Sequence, residues 1–307
     1  MKIFYTLLLT LSFSFGFEYN LKPQKVTEGV YCFFGKLENI NKQNAGNMVN
    51  TCFIQTKEGF IVIDSGPTYA YAQQAYTQMQ NIAKLPVKYV INTHDHDDHW
   101  LGNSFYKSKG ALLIGSKTYE QNVFEGMQTR MHRVLGDRLY QNTKIVTLDR
   151  VIDTAYTFKV GEENIEIKKL VKQGHTQGDL IVFLPSKRTI FVGDLVFNGR
   201  LTSLRDGSLM GSIEALEKID AYDAKYIIAG HGFNTDKNAT KALKTYLLEI
   251  KEKVQKALDE DIGMEEITKK VPMLAYEKMK LYDVLHKNNV LDAYKELEMI
   301  EEDEDEE

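Results

Sequence analysis

Residues 94–99 read His-Asp-His-Asp-Asp-His, and no other feature constrains the chain as much. Three of its seven histidines stand within six residues, interleaved with three aspartates. Such a crowd of polar groups is costly to bury unless its members bind one another or a metal. Imidazole and carboxylate are ligands that borderline ions such as zinc accept. The cluster follows residues 87–91, an apolar run with strand character, so it falls on a loop that a rigid sheet can present. Alternation along an extended turn aims His94 and His96 at one ion. Asp98 and His99 can then turn toward a neighbouring one.

Two further histidines occupy similar settings. His175 lies in GHTQGD just before the apolar run 180–184, and His231 lies in GHG just after the run 224–229. Asp194 follows the run IFVG and is the acid expected at that strand's end. His132, in MHRV, and His286, in LHKN, stand alone and read as structural or exposed. Between these points strand-like and helix-like runs alternate. FIVI at 60–63 ends at Asp64-Ser65-Gly66, and residues 68–84 place Ala72, Ala75, Tyr76, Met79 and Ile82 at helical spacing. Ser116 is a good helix N-cap. From Lys237 onward Leu243, Tyr246, Leu247, Ile250 and Val254 share one helix face. No Pro/Gly/Ser linker divides the chain, which predicts one domain over residues 17–300 with a helical C-terminal extension.

Taken together these motifs resemble the metallo-β-lactamase superfamily. The match comprises an acid in VIDSG (Asp64), HxHxDH (His94, His96, Asp98, His99), GHTxG (His175), GD (Asp194) and a late GH (His231), in family order. The resemblance implies an α/β fold, a four-layer αβ/βα sandwich with metals at one edge between two sheets. Carried over, it assigns one zinc to His94, His96 and His175 and a second to Asp98, His99 and His231, bridged by Asp194. It implies two Zn2+ per chain, or iron as the alternative. A shared hydroxide would attack a carbonyl of a small-molecule thioester, ester or lactone, with Asp98 also accepting a proton as the catalytic residue. Asp64 would orient a ligand or the loop. Asp194, where zinc β-lactamases of the best-known subclass carry cysteine, and His99, where they carry arginine, point toward the thioesterase, glyoxalase-type and lactonase branches. The phrases NTHDHDDHWLGN, GDLVFNGRLTSLRDGSL and HKNNVLDAYKELE are most similar to exported zinc hydrolases associated with sulfur-oxidation or quinoprotein systems. Three alternatives stand beside the hydrolase: a mononuclear iron persulfide dioxygenase, a β-lactam hydrolase, and a non-enzymatic metal-stabilised periplasmic relay or binding protein.

The ends of the chain bear on where it works. Lys2, the apolar run 3–15, and Ser14 and Gly16 form the pattern of a signal peptide cut after Gly16. The expectation is export to a periplasmic or extracellular space, with no membrane span left after cleavage. In that setting Cys32 and Cys52, on two strand-like segments, either pair as a disulfide or remain buried thiols. The net charge of −5 is concentrated in residues 301–307, which are all acidic and are expected to be a disordered tail. The remaining body is nearly neutral, so it carries no nucleic-acid footprint. Arg200 and Arg205 would either hold an anionic group of the substrate or form surface ion pairs. Trp100 either packs under the motif or touches substrate. Loops 36–50, 119–140 and 198–211 are expected to build the pocket. Protein partners cannot be read from the sequence.

Overall fold

The computed structural model describes residues 16–124 and 126–305. The predicted signal peptide, residues 1–16, lies outside this span apart from Gly16. Seven strands form the first sheet in sequence order: β1 (Gln24–Thr27), β2 (Val30–Phe33), β3 (Thr51–Gln55), β4 (Phe60–Ile63), β5 (Val87–Ile91), β6 (Leu112–Ser116) and β7 (Arg150–Ile152). It is antiparallel up to β4 and parallel from β4 to β7. Five strands form the second: β8 (Ala155–Val160), β9 (Glu163–Lys168), β10 (Ile181–Leu184), β11 (Thr189–Phe197) and β12 (Tyr226–His231), with β11 and β12 parallel.

The pleat explains the layering. In β4, Ile61 and Ile63 face the second sheet and join Ile165, Val182, Phe191 and Ile228 in the inter-sheet core. Phe60 and Val62 point the other way, against Ala72, Ala75 and Met79 of helix α1 (Tyr69–Ile82). A strand buried on both faces has to be apolar throughout, as FIVI is. Short helices α2 (Asp97–Trp100), α3 (Asn103–Ser108), α4 (Lys117–Asn122) and α5 (Arg130–Tyr140) lie along the first half. Helices α6 (Leu209–Asp220), α7 (Lys241–Asp259), α8 (Met264–Lys270) and α9 (Tyr282–Asp305) cover the outer face of the second sheet, where Leu216, Tyr246, Ile250 and Val290 meet Ile190 and Val192. The result is the expected αβ/βα sandwich.

Two expectations are corrected. The strand carrying Asp194 does not end at Val192. It kinks at Gly193, whose φ is +50°, and continues to Phe197, so Asp194 is interior to β11. A side chain at 193 would also collide with Thr93, its Cβ lying 2.5 Å from the Thr93 Oγ1. The acidic tail is helical rather than disordered as far as Asp305, because α9 runs into it from its packed portion. Extending a formed helix costs far less than starting one, and glutamate is a good helix former. Cys32 and Cys52 stand directly opposite across β2 and β3, and the structure pairs them as a disulfide. Among the described residues, no helix is long and apolar enough to cross a membrane.

Candidate metal centre

The centre is assembled from the ends and kinks of both sheets. The loop after β5 brings His94 and His96, and α2 brings Asp98 and His99. His175 comes from the bends before β10, Asp194 from the kink in β11, and His231 is the last residue of β12. All seven predicted site residues are thus brought together. Donor atoms of His94, His96, His175 and Asp194 lie within 4.8 Å of one another, as do those of Asp98, His99 and His231. Asp194 sits between the groups. Its Oδ1 is 3.2 Å from His99 Nε2, and its Oδ2 is 3.2 Å from His231 Nε2 and 3.4 Å from His175 Nε2. The backbone leaves room for it, because a Cβ on Gly230 would stand 1.9 Å from Asp194 Oδ1.

These donors fit a metal on the structure's own terms. His94 Nε2, His99 Nε2 and Asp194 Oδ1 are buried and have no hydrogen-bond partner among the described residues. Buried polar atoms left this way cost free energy unless something else occupies them. Burial drives His94 well below the usual histidine range, and His175 to about 3, so both rings are neutral and able to ligate. Burial would also raise the carboxyls. For Asp98 that is outweighed by Arg130, then His99 and His231, and for Asp194 by His231 and His99, so both are held low and ionised.

A second set of groups aims these donors. Asp64, in the left-handed region at φ +56°, accepts from Thr93 N at 2.8 Å and Thr93 Oγ1 at 2.9 Å, and its Oδ2 lies 2.8 Å from His99 Nδ1. The His99 backbone carbonyl accepts from Ser65 N at 2.7 Å. Met48 O accepts from His231 Nδ1 at 2.6 Å. Asp206 Oδ2 lies 3.0 Å from His96 Nε2, leaving Nδ1 on the side of His175. Arg130 donates from Nη2 to Asp97 Oδ1 and Asp98 Oδ1, each at 2.7 Å. Sequence reasoning missed Arg130 and Asp206. Asp206 stands beside Arg205 in the same quoted phrase, but nothing in that phrase indicates that it faces His96.

The remaining expectations resolve as follows. Trp100 packs on Tyr119 and donates Nε1 to Asp95 O at 2.9 Å, so it supports the motif from below. His132 pairs with Asp137, and His286 bonds Tyr246 and Val271, both apart from the centre. Arg205 is exposed and pairs with Asp206. Arg200 is buried at 7% exposure and lines the cavity beside the donors. That cavity, about 590 Å³, draws on the predicted loops 36–50, through Ile40 and Met48, and 198–211, through Arg200 and Ser203; the stretch 119–140 also lines it, through Arg130 and Val134, but as helix α5 rather than as a loop. It also draws on α9, which was not predicted.

Comparison with known proteins accords with this geometry. Residues 45–231 match the model of the metallo-beta-lactamase superfamily. The chain belongs to that superfamily. A hydroxyacylglutathione hydrolase of Brucella anthropi is 28% identical over 157 residues, which are 50% of this chain and 51% of that protein. The chain thus spans about half the length of that relative. A metallo-beta-lactamase type 2 of Elizabethkingia meningoseptica is 24% identical over 217 residues, 68% of this chain and 78% of that protein. In fold, the metallo-beta-lactamase from Pontibacter korlensis superposes with a TM-score of 0.60 at 24% identity, covering 74% of this chain and 99% of that one.

Proposed function

We propose that this chain is an exported dinuclear zinc hydrolase acting on the carbonyl of a thioester, ester or lactone. One observation carries the reading: seven nitrogen and oxygen donors gathered in two groups around Asp194, of which His94 Nε2, His99 Nε2 and Asp194 Oδ1 are buried with no hydrogen-bond partner among the described residues. His94, His96 and His175 would hold one ion, Asp98, His99 and His231 the other, and Asp194 would touch both. Ions bound there would supply positive charge for a developing oxyanion and an acidified water as nucleophile. The chain's own part is positional and protic. Arg130 occupies Asp98 Oδ1, leaving Oδ2 turned to the centre, 3.6 Å from His231 Nε2, where it can take a proton during turnover. Asp64 and Asp206 fix the rings of His99 and His96 so that little reorganisation is needed. The name of the hydroxyacylglutathione hydrolase relative favours thioesters as the first substrates to try.

Export is supported by the leading segment's pattern and by the paired cysteines, since disulfides persist in oxidising compartments. Fractionation of a cell expressing the full gene should place the protein outside the cytoplasm, and recovery in the cytoplasm would refute export. The activity is tested by a turnover screen of the zinc-loaded protein on thioesters, esters and lactones, with nitrocefin included. Hydrolysis of one class supports the reading. Oxygen consumption with glutathione persulfide by an iron-loaded protein, without hydrolysis, would replace it.

A further inference from the structure

Arg200 lines the cavity beside the donors, and most of its hydrogen-bonding capacity is left open. Arg200 is buried, with its guanidinium 5.3 Å from the Phe197 ring. A guanidinium carries five N–H donors. Among the described residues only Nε finds a carbonyl, Leu201 O at 3.3 Å. Nη1 lies 3.5 Å from His231 Nδ1, but that nitrogen already gives its hydrogen to the Met48 carbonyl and cannot accept. The other arginines of the cavity are taken, Arg130 by Asp97 and Asp98, and Arg205 by Asp206. The acids that offset the Arg200 charge are Asp194 and Asp98. Once these hold cations their charge is spent, and Arg200 becomes a buried cation in need of an anion.

The α9 side of the cavity, with the residue before it, contributes Leu281, Val284, Leu285 and Leu291 as an apolar strip, flanked by Asn288, Asp292 and Lys295. Val284 is 51% exposed, as a wall residue facing an open cavity would be. This segment lies beyond the matched family residues, yet it is stitched to the loop that carries Arg200. Leu201 N donates to Lys280 O and Lys280 N to Gly199 O. Asn289 bonds Thr202 O at 2.9 Å and Leu204 N at 3.1 Å, and Glu296 caps the start of α6 through Ser208 Oγ and Leu209 N, each at 2.6 Å.

We propose that this cavity selects an amphiphilic anion, a carbonyl compound whose negative group sits on Arg200 and whose apolar arm lies along α9. The inference rests on the hydrolase reading for its carbonyl, while the head group and arm follow from the cavity alone. Planar guanidinium donors suit a carboxylate, sulfonate or phosphate head.

The test is calorimetric titration of the zinc-loaded full chain with octane-1-sulfonate, butane-1-sulfonate and octan-1-ol. Octane-1-sulfonate should bind at least about tenfold tighter than octan-1-ol, as a charge-assisted contact allows. It should exceed butane-1-sulfonate by roughly two- to threefold per methylene, as partial burial of each group predicts. Arg200→Met should erase the preference for the charged head while keeping the chain-length dependence. Val284→Glu, at a half-exposed helix position, should weaken the long sulfonate and spare the short one. Equal affinity for the charged and neutral octyl compounds, or a head-group preference that survives Arg200→Met, would overturn the proposal. Selective binding without turnover of any ester or thioester would refute the hydrolase and leave this inference standing. Turnover with no head-group or chain-length selection would refute this inference alone.

Discussion

Asp64 Oδ2 lies 2.8 Å from His99 Nδ1, with both residues buried, so one carboxylate decides which nitrogen of His99 faces the centre. The same carboxylate accepts two bonds from Thr93, next to His94, and thereby couples the strand end of β4 to the motif after β5. Asp64→Asn keeps the shape and the bond from Thr93 N but loses the acceptor for His99. Zinc affinity, measured by competition with a chelating indicator, should fall about 10- to 100-fold for one of the two ions. Unchanged affinity for both would show that His99 needs no such partner.

Asp98 is held ionised between Arg130 and the two histidines of its group. Asp98→Asn should lower kcat by about 100-fold or more on whichever carbonyl substrate the protein turns over, at saturating zinc. A turnover rate equal to that of the unaltered protein would remove Asp98 from the chemistry.

Burial pushes the Asp179 carboxyl from 3.8 up to about 7, despite the two hydrogen bonds it accepts from Thr176. Between these values the folded chain keeps a proton that the unfolded chain has lost. Stability therefore falls as pH rises from about 4 to about 7, by at most about 4 kcal/mol. Asp179→Asn cannot ionise, so its stability relative to the parent should improve from pH 4.5 to pH 8 in urea unfolding. A difference that stays constant with pH would contradict the argument.

The Cys32–Cys52 bond closes a loop with a sequence separation of 20. Replacing both cysteines by alanine should cost about 3 kcal/mol by the chain-entropy model, and adding a reductant to the parent should cost a similar amount. Reductant that leaves the parent unaffected, with the thiols shown to be free, would mean the pair is not oxidised in the protein.

The donors were legible in the sequence because their chemistry is local. Histidine and aspartate at fixed spacing beside an apolar run announce a site on a strand's exit, and His175 and His231 repeat that setting. The sandwich was legible only through the family resemblance those donors carry, while apolar strands such as FIVI and amphipathic faces such as Leu243 to Val254 marked individual strands and helices. The groups that aim the donors were not. Arg130 reaches the centre from the first turn of α5 and Asp206 from a loop, both along paths that depend on long-range packing, and no short pattern marks them. The extent of β11 was hidden by Gly193, which looks like a strand's end and is in fact a kink within it. The helical C-terminal extension was expected, but its place as a cavity wall depends on contacts such as Asn289 with Thr202, 87 residues apart in sequence.

Elemental analysis of the mature chain, purified without chelator, tests the central claim most directly. The account predicts close to two zinc ions per polypeptide, falling toward one or none when His94 or Asp194 is replaced by alanine. About one iron with little zinc, or no bound metal at all, would contradict it.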